Sequence, residues 1–246
     1  MPLRVVTYNI RFGGGQRVPL LAKFLTALEP DVVVLQEASD RFAFERLATM
    51  TGLNHTVQRQ GYSVAVMARS PLRRHEWHHP PRTRAFLEFE ATGTDLRFIG
   101  LHLPSGLWGR GERARLRHVD ALLATIGPEA DDRTLLIGDL NCVAHGDEPL
   151  VASMPLWLRL LLRLYGPIRT DVIDRLTAAG WVDAYRVLHP EEAGFTLPAG
   201  LPHVRLDYLL APRVVVPAIR HCTPTLDATL AARASDHLPL VSVFDD

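Results

Sequence analysis

Six apolar, strand-like runs in this chain end in, or enclose, an ionisable or amide side chain. Asn9 closes Val-Val-Thr-Tyr-Asn, Glu37 follows Val-Val-Val-Leu-Gln, and His102 lies in Ile-Gly-Leu-His-Leu. Asp139 and Asn141 sit in Leu-Leu-Ile-Gly-Asp-Leu-Asn, Asp207 in Arg-Leu-Asp-Tyr-Leu-Leu, and Asp236-His237 precedes Leu-Pro-Leu-Val. An unpaired charge in such surroundings is expensive. One such site is readily satisfied by a salt bridge or a cap. Six in separate strands predict that the strand ends converge on a single polar pocket.

The intervening pattern supplies the elements. Leu3 to Ile10 reads as a strand broken by Gly13-Gly14-Gly15, and Leu21, Phe24, Leu25 and Leu28 fall at helical spacing, with Pro19 acceptable in the first turn. Val32 to Gln36 is a continuous apolar run suited to a strand buried on both faces. Ser39 is the expected N-cap of a helix running toward Thr51. Short strands are expected at Tyr62–Ala68, Phe86–Glu90 and Leu96–Leu103. A helix over Glu112–Ile126 and a strand over Leu135–Leu140 follow, then helices at Leu156–Tyr165 and Asp171–Ala179. Strands return at Leu206–Leu210, Val214–Ile219 and Leu240–Phe244. Strands and helices alternate in both halves with no low-complexity linker, which predicts one domain over residues 1–246 with two packed sheets and helices outside.

Composition narrows the classes. With 246 residues, 47% of them hydrophobic, the chain can bury a large core, and disordered, collagen-like and coiled-coil classes are excluded. Net charge is zero, so the global positive field of a protein that coats nucleic acid is missing, although a local groove can still be basic. Cys142 and Cys222 cannot build a disulfide framework, and the first strand begins too early to leave room for a secretory signal. No apolar stretch reaches the roughly 20 residues needed to cross a bilayer. A cytoplasmic setting is the expectation.

Glu37, Asp139, Asp207 and Asp236, with Asn9 and Asn141, are hard oxygen donors that suit Mg²⁺ or Mn²⁺ better than zinc. Two histidines add groups that titrate near neutrality. Carboxylates, a hard cation and histidines together suit attack of water on a phosphate ester.

The ordered set Thr-Tyr-Asn-Ile, Leu-Gln-Glu, Leu-His-Leu, Gly-Asp-Leu-Asn, Arg-Leu-Asp-Tyr and Ser-Asp-His resembles the endonuclease/exonuclease/phosphatase superfamily, from residue 7 to residue 240. That group includes pancreatic-type deoxyribonucleases, abasic-site endonucleases, neutral sphingomyelinases and inositol polyphosphate 5-phosphatases. The resemblance implies a four-layered α/β sandwich: two packed mixed β-sheets flanked by helices, with the site at the strand ends. It further implies Glu37 as principal Mg²⁺ ligand, helped by Asn9 and by Asp236. Asp139 and Asn141 would position the water and the scissile phosphate, Asp207 would orient His237 beside that phosphate, and His102 would contact it or assist the leaving group. The abasic-site branch uses a tyrosine where this chain has His102, so the chain looks more like the deoxyribonuclease, sphingomyelinase and phosphatase branches.

Arg84 and Arg113 are the candidate contacts to a phosphate-rich substrate, and Tyr208 beside Asp207 is a candidate for substrate binding or site support. His75, His78 and His79 lack a clear fourth zinc ligand and are expected on a solvated loop. The segment 154–165 is an apolar helix carrying Arg159 and Arg163. Core packing is its plain expectation, and a lipid-interface contact, a dimer contact or an active-site lid are the alternatives. The leading functional expectation is a Mg²⁺-dependent phosphodiesterase cleaving nucleic acid, with no obligate protein partner. The same chemistry on a phospholipid or a small phosphorylated metabolite comes second, and a non-catalytic binding module third.

Overall fold

All five residues of Val32–Gln36 are buried, and the four apolar ones divide by parity. Val32 and Val34 join one apolar cluster, while Val33 and Leu35 join another. A strand buried on both faces needs a layer on each side, and the computed structural model supplies them. It describes residues 2–106, 109–128, 131–225 and 228–245.

The first half runs β1 (Leu3–Asn9), α1 (Val18–Ala27), β2 (Val32–Gln36), α2 (Arg41–Thr51), β3 (His55–Gln58), β4 (Ala65–Ala68), β5 (Leu72–His78), β6 (Phe86–Ala91), β7 (Arg97–His102) and α3 (Arg110–Ile126). The second half continues with β8 (Thr134–Asp139), α4 (Leu156–Tyr165), α5 (Asp171–Ala178), β9 (Trp181–Asp183), α6 (Ala184–Leu188), β10 (Asp207–Pro212), β11 (Ile219–Pro224), α7 (Ala228–Ala234) and β12 (Leu240–Phe244). Two six-stranded sheets result, ordered β11-β12-β1-β2-β4-β3 and β5-β6-β7-β8-β10-β9. Both are mixed, with one parallel pair each, β1–β2 and β7–β8, formed by the crossovers through α1 and α3.

Val5, Val34, Val66, Leu87, Phe98, Ile137 and Leu209 fill the layer between the sheets. On the outer faces, α1, α2 and α7 cover the first sheet, and α3 and α5 the second. Each buried Val, Leu or Phe side chain contributes about 1.5–3 kcal/mol. That sum lets the same strands end in costly polar groups. The sheets approach closely at Gly100 on β7, where a Cβ would lie 3.0 Å from Val34 Cγ1 and 3.1 Å from Val64 Cγ1.

Several local expectations are corrected. Asp40, not Ser39, caps α2, its carboxylate accepting from Ala43 N at 3.1 Å. His75 and His78 lie on β5, an edge strand, with His79 directly after it. Arg73 to Glu76 on this edge face solvent, which hides the strand pattern, whereas His78 turns inward to bond Glu88 at 2.9 Å. Val214–Ile219 is not a strand, because Pro217 starts a 3₁₀ turn over Val216–Ala218 and the strand begins only at Ile219. Helix α4 has no buried residue, so it is not core-packed.

Candidate active site

The strand order places the polar positions at one end of both sheets. Asn9 ends β1 and Glu37 follows directly after its parallel neighbour β2, and His102 and Asp139 terminate β7 and β8 in register with each other. Asp207 begins β10 opposite Asp139, because that pair is antiparallel. Asp236 and His237 lie just before β12, which runs antiparallel to β1. Each sheet delivers about half of the set.

Asp139 is the centre of the group and is 1% exposed. Its Oδ2 accepts from Asn9 Nδ2 at 3.0 Å and Asn141 Nδ2 at 3.1 Å, and its Oδ1 accepts from Asn141 N at 2.9 Å. Asn141 takes a left-handed φ of 51°, and its amide also donates to Leu103 O at 3.1 Å. His102 Nε2 and His237 Nε2 approach the same Asp139 Oδ2 at 3.7 and 3.9 Å. His237 Nδ1 bonds Asp207 Oδ2 at 2.9 Å.

The two imidazoles differ in charge. Burial pushes His102 down to about 4, against the pull of Asp139, so it is neutral near pH 7. Burial opposes charge on His237 as well. There Asp207 and Asp139 outweigh it, and His237 is held up at about 10. Burial also raises the Asp139 carboxyl above the usual carboxylate range, partly offset by His237. One charged and one neutral imidazole flanking a basic carboxylate can stabilise charge on a phosphate, accept or hold a proton, and orient a water.

Glu37 is presented by strained backbone, with φ at 58°. Its Oε2 accepts from Phe12 N at 2.6 Å and its Oε1 from Asn9 Nδ2 at 3.3 Å. Phe12 belongs to a run of left-handed residues, Arg11 to Gly15, with φ from 49° to 77°. The glycines adopt this easily, whereas Arg11 and Phe12 are strained by it. Arg17 anchors the loop through bonds to the carbonyls of Ile10, Arg11 and Ala234. The glycines therefore shape a loop that delivers an N–H to Glu37.

Asn9 offers its N–H groups, not its oxygen, to Glu37 and Asp139, since its Oδ1 accepts from Arg11 N at 2.9 Å. Asp236 pairs with Arg11, Oδ2 to Nε at 3.5 Å. A cavity of about 600 Å³ adjoins the group, lined by Phe12, Glu37, Tyr62, Ser63, Arg84 and His102 among others. Arg84 is half-buried there and donates to Leu103 O at 3.3 Å. Arg113 is on the exposed face of α3 and is not among the residues lining that cavity. Tyr208 is fully buried, its hydroxyl bonded to Ala144 N, Cys142 O and Arg205 O, and Arg205 lies 4.4 Å over its ring. It shapes the loop after Asn141 from a position closed to solvent, which fits the support of the site expected of it and not the binding role.

Ser63 escaped the sequence reading. Its Oγ bonds His102 Nδ1 and accepts from Glu37 N at 3.1 Å, linking the two sheets' contributions. Its signal was the same as for the others: a polar residue at the end of the apolar run that pairs with β2.

Asp139, Asp207 and His237 offer ligand atoms within 4.8 Å of one another, so this buried group can hold a metal ion. Asp207 Oδ1 is buried with no hydrogen-bond partner, which leaves the group with unused capacity for a cation. Carboxylate oxygens dominate the donor set, as a hard ion requires.

A two-sheet α/β sandwich with an acidic, metal-competent, histidine-flanked centre at its strand ends defines a class of phosphoester hydrolases. Residues 6–237 match the model of the Endonuclease/Exonuclease/phosphatase family, and the chain belongs to that family. It is an enzyme of phosphate-ester hydrolysis. Comparison with curated proteins by sequence returns no match. Among solved structures it is similar to a 3′ phosphatase, NExo, from Neisseria bound to a product DNA hairpin, with a TM-score of 0.74 at 20% identity over 99% of this chain and 100% of that one. An AP endonuclease from Archaeoglobus fulgidus is similar at a TM-score of 0.73, with the same identity and coverage. At this identity the likeness is one of fold.

Proposed function

We propose that the chain is a Mg²⁺-dependent phosphodiesterase that cleaves nucleic acid by direct attack of water, with residues 1–246 acting as one domain. The observation that carries the chemistry is Asp139, buried, held by three hydrogen bonds and flanked by one charged and one neutral imidazole. In this reading Asp139, raised by burial, orients the water and accepts its proton. Asn9 and Asn141 keep that carboxylate aimed. His237, charged through Asp207, binds a phosphate oxygen, and neutral His102, fixed by Ser63, contacts the phosphate or the leaving oxygen. Arg84 adds positive charge from the cavity wall.

His237 already places a proton between Asp139 and Asp207, which makes the Glu37 carboxylate, with Asp236 held by Arg11 of the same loop, the better place for Mg²⁺ or Mn²⁺. The ion would neutralise charge that builds on the phosphate. Nucleic acid is favoured by the aromatic Phe12 and Tyr62 beside Arg84 in the cavity, which suit a base next to a phosphate, and by the DNA-acting proteins that share the fold. The exposed apolar α4 favours a second reading, a phospholipid ester. Two free buried thiols suit a cytoplasmic, reducing setting, and no helix among the described residues is long and apolar enough to cross a membrane.

Hydrolysis of single- and double-stranded DNA, RNA, bis-p-nitrophenyl phosphate, p-nitrophenyl phosphate, sphingomyelin and inositol phosphates, with Mg²⁺, Mn²⁺ or EDTA, tests this. Metal-dependent cleavage of polynucleotide, abolished in His237→Ala, is expected. Activity confined to lipid or small phosphates overturns the nucleic-acid assignment, and silence on every substrate overturns the catalytic one.

A further inference from the structure

We propose that α4 seats the protein on an anionic membrane surface. No residue of the helix is buried, and Leu156, Trp157, Leu160 and Leu164 are 66, 61, 53 and 72% exposed. Large apolar side chains scattered singly need no explanation, but a contiguous stripe does.

At 100° per residue the helix has three faces. Leu158, Leu161 and Leu162, half-buried, turn toward the protein. Leu156, Leu160 and Leu164 stand one turn apart on the outer side with Trp157 beside them. Arg159 and Arg163, also one turn apart, form the stripe along the other edge of that outer face. A helix lying in a bilayer interface needs an apolar stripe sunk toward the acyl chains, an aromatic at the headgroup level, and cations reaching lipid phosphates.

Charge selects this occupant over a second copy of the chain. No acidic residue occurs between Glu148 and Asp171, while Arg159, Arg163 and Arg169 do. Among the described residues Arg159 and Arg163 have no acidic partner, whereas Arg169 pairs with Asp171. A two-fold dimer through this face would set arginine stripes against each other with nothing to neutralise them. An anionic lipid surface neutralises both.

The helix is also tied to the catalytic end. The loop from Asn141 that leads into it is clamped at Asp147, which accepts from Arg205 Nε at 2.9 Å and Arg186 at 2.7 Å. Arg205 in turn lies two residues before Asp207. The inference stands whichever ester is hydrolysed.

Co-sedimentation of the full chain with phosphatidylcholine vesicles, and with vesicles that add phosphatidylserine, tests it. Binding to the anionic vesicles is expected to exceed that to the zwitterionic ones by about tenfold or more and to weaken with salt. Arg159→Gln with Arg163→Gln should remove that preference. Leu160→Gln with Leu164→Gln should abolish binding, with the far-ultraviolet spectrum, the thermal midpoint and hydrolysis of soluble bis-p-nitrophenyl phosphate unchanged. That soluble assay is read separately, so loss of docking is distinguishable from loss of catalysis. No binding to anionic vesicles overturns the proposal. So does a dimer, seen by light scattering, that the double leucine variant dissolves while vesicles are ignored, which gives the face to a second copy.

Discussion

His237 Nδ1 and Asp207 Oδ2 meet at 2.9 Å across the join of two sheets, His237 entering β12 of one and Asp207 opening β10 of the other. The contact fixes the ring, keeps it charged and pins the sheets together at the point where the phosphate is expected. Asp207→Asn should preserve the fold and leave a hydrogen-bond partner while removing the charge. We expect kcat to fall about 10²–10⁴-fold with a smaller change in KM, measured on bis-p-nitrophenyl phosphate at saturating metal. An unchanged kcat would remove the pair from the mechanism.

The charge on His237 has a consequence for stability. Its folded value, about 10, lies above the ordinary value of about 6.5. The stabilisation is therefore complete below pH 6.5 and disappears as pH climbs through 10. In EDTA, the gap in thermal midpoint between the native chain and His237→Gln should be widest near pH 6 and shrink toward pH 10.5. A gap that grows over that range would show the ring to be neutral.

His102 is expected to stay neutral down to about pH 4, with Ser63 setting its orientation. Ring-nitrogen NMR across pH 5–8 should show a histidine that stays neutral throughout, distinct from His237, which stays charged, and the neutral signal should vanish from the spectrum of His102→Gln. Ser63→Ala frees the ring and should lower kcat by about tenfold, with Ser63→Thr recovering part of the loss.

Glu37 is the residue on which metal affinity should depend most. Glu37→Gln keeps an acceptor for Phe12 N but loses the charge. Mn²⁺ affinity by calorimetry should weaken by about tenfold or more, while Asp236→Asn, already neutralised in part by Arg11, should weaken it less. Equal losses would place the ion between the two.

Gly138, beside Asp139, has φ of 145°, and an added Cβ would stand 2.0 Å from Leu101 O. Gly138→Ala should destabilise the chain by about 2–4 kcal/mol in urea unfolding, because β7 and β8 would have to separate. A cost below 1 kcal/mol on the same scale would mean the ladder yields there.

Much of this was legible in the residues. Val32–Gln36 is an unbroken apolar run and Leu156–Tyr165 sets its arginines one helical turn apart, so their bounds follow directly from the residues. Asn9, Glu37, His102, Asp139, Asp207 and His237 stand out because each interrupts an apolar run, and five of the six share direct side-chain contacts reaching Asp139 or its immediate partner His237. Tyr208 shows where adjacency in sequence misleads. Next to Asp207 on a strand, it necessarily points to the opposite face, into the core. β5 shows how an edge strand conceals itself, since exposure removes the apolar alternation that identifies strands. The exposure of α4 was hidden too, because an apolar helix that meets protein and one that meets lipid share a composition.

Neither sheet carries the chemistry alone. Asn9, Glu37 and His237 come from one, and His102, Asp139 and Asp207 from the other. Turnover is thus a vernier on the alignment of two slabs whose helices and ladders would scarcely register a slide between them. Misplacement by about 1 Å can cost 10²-fold in rate, so pressure or mild denaturant should silence this enzyme while its ellipticity still reports an intact fold.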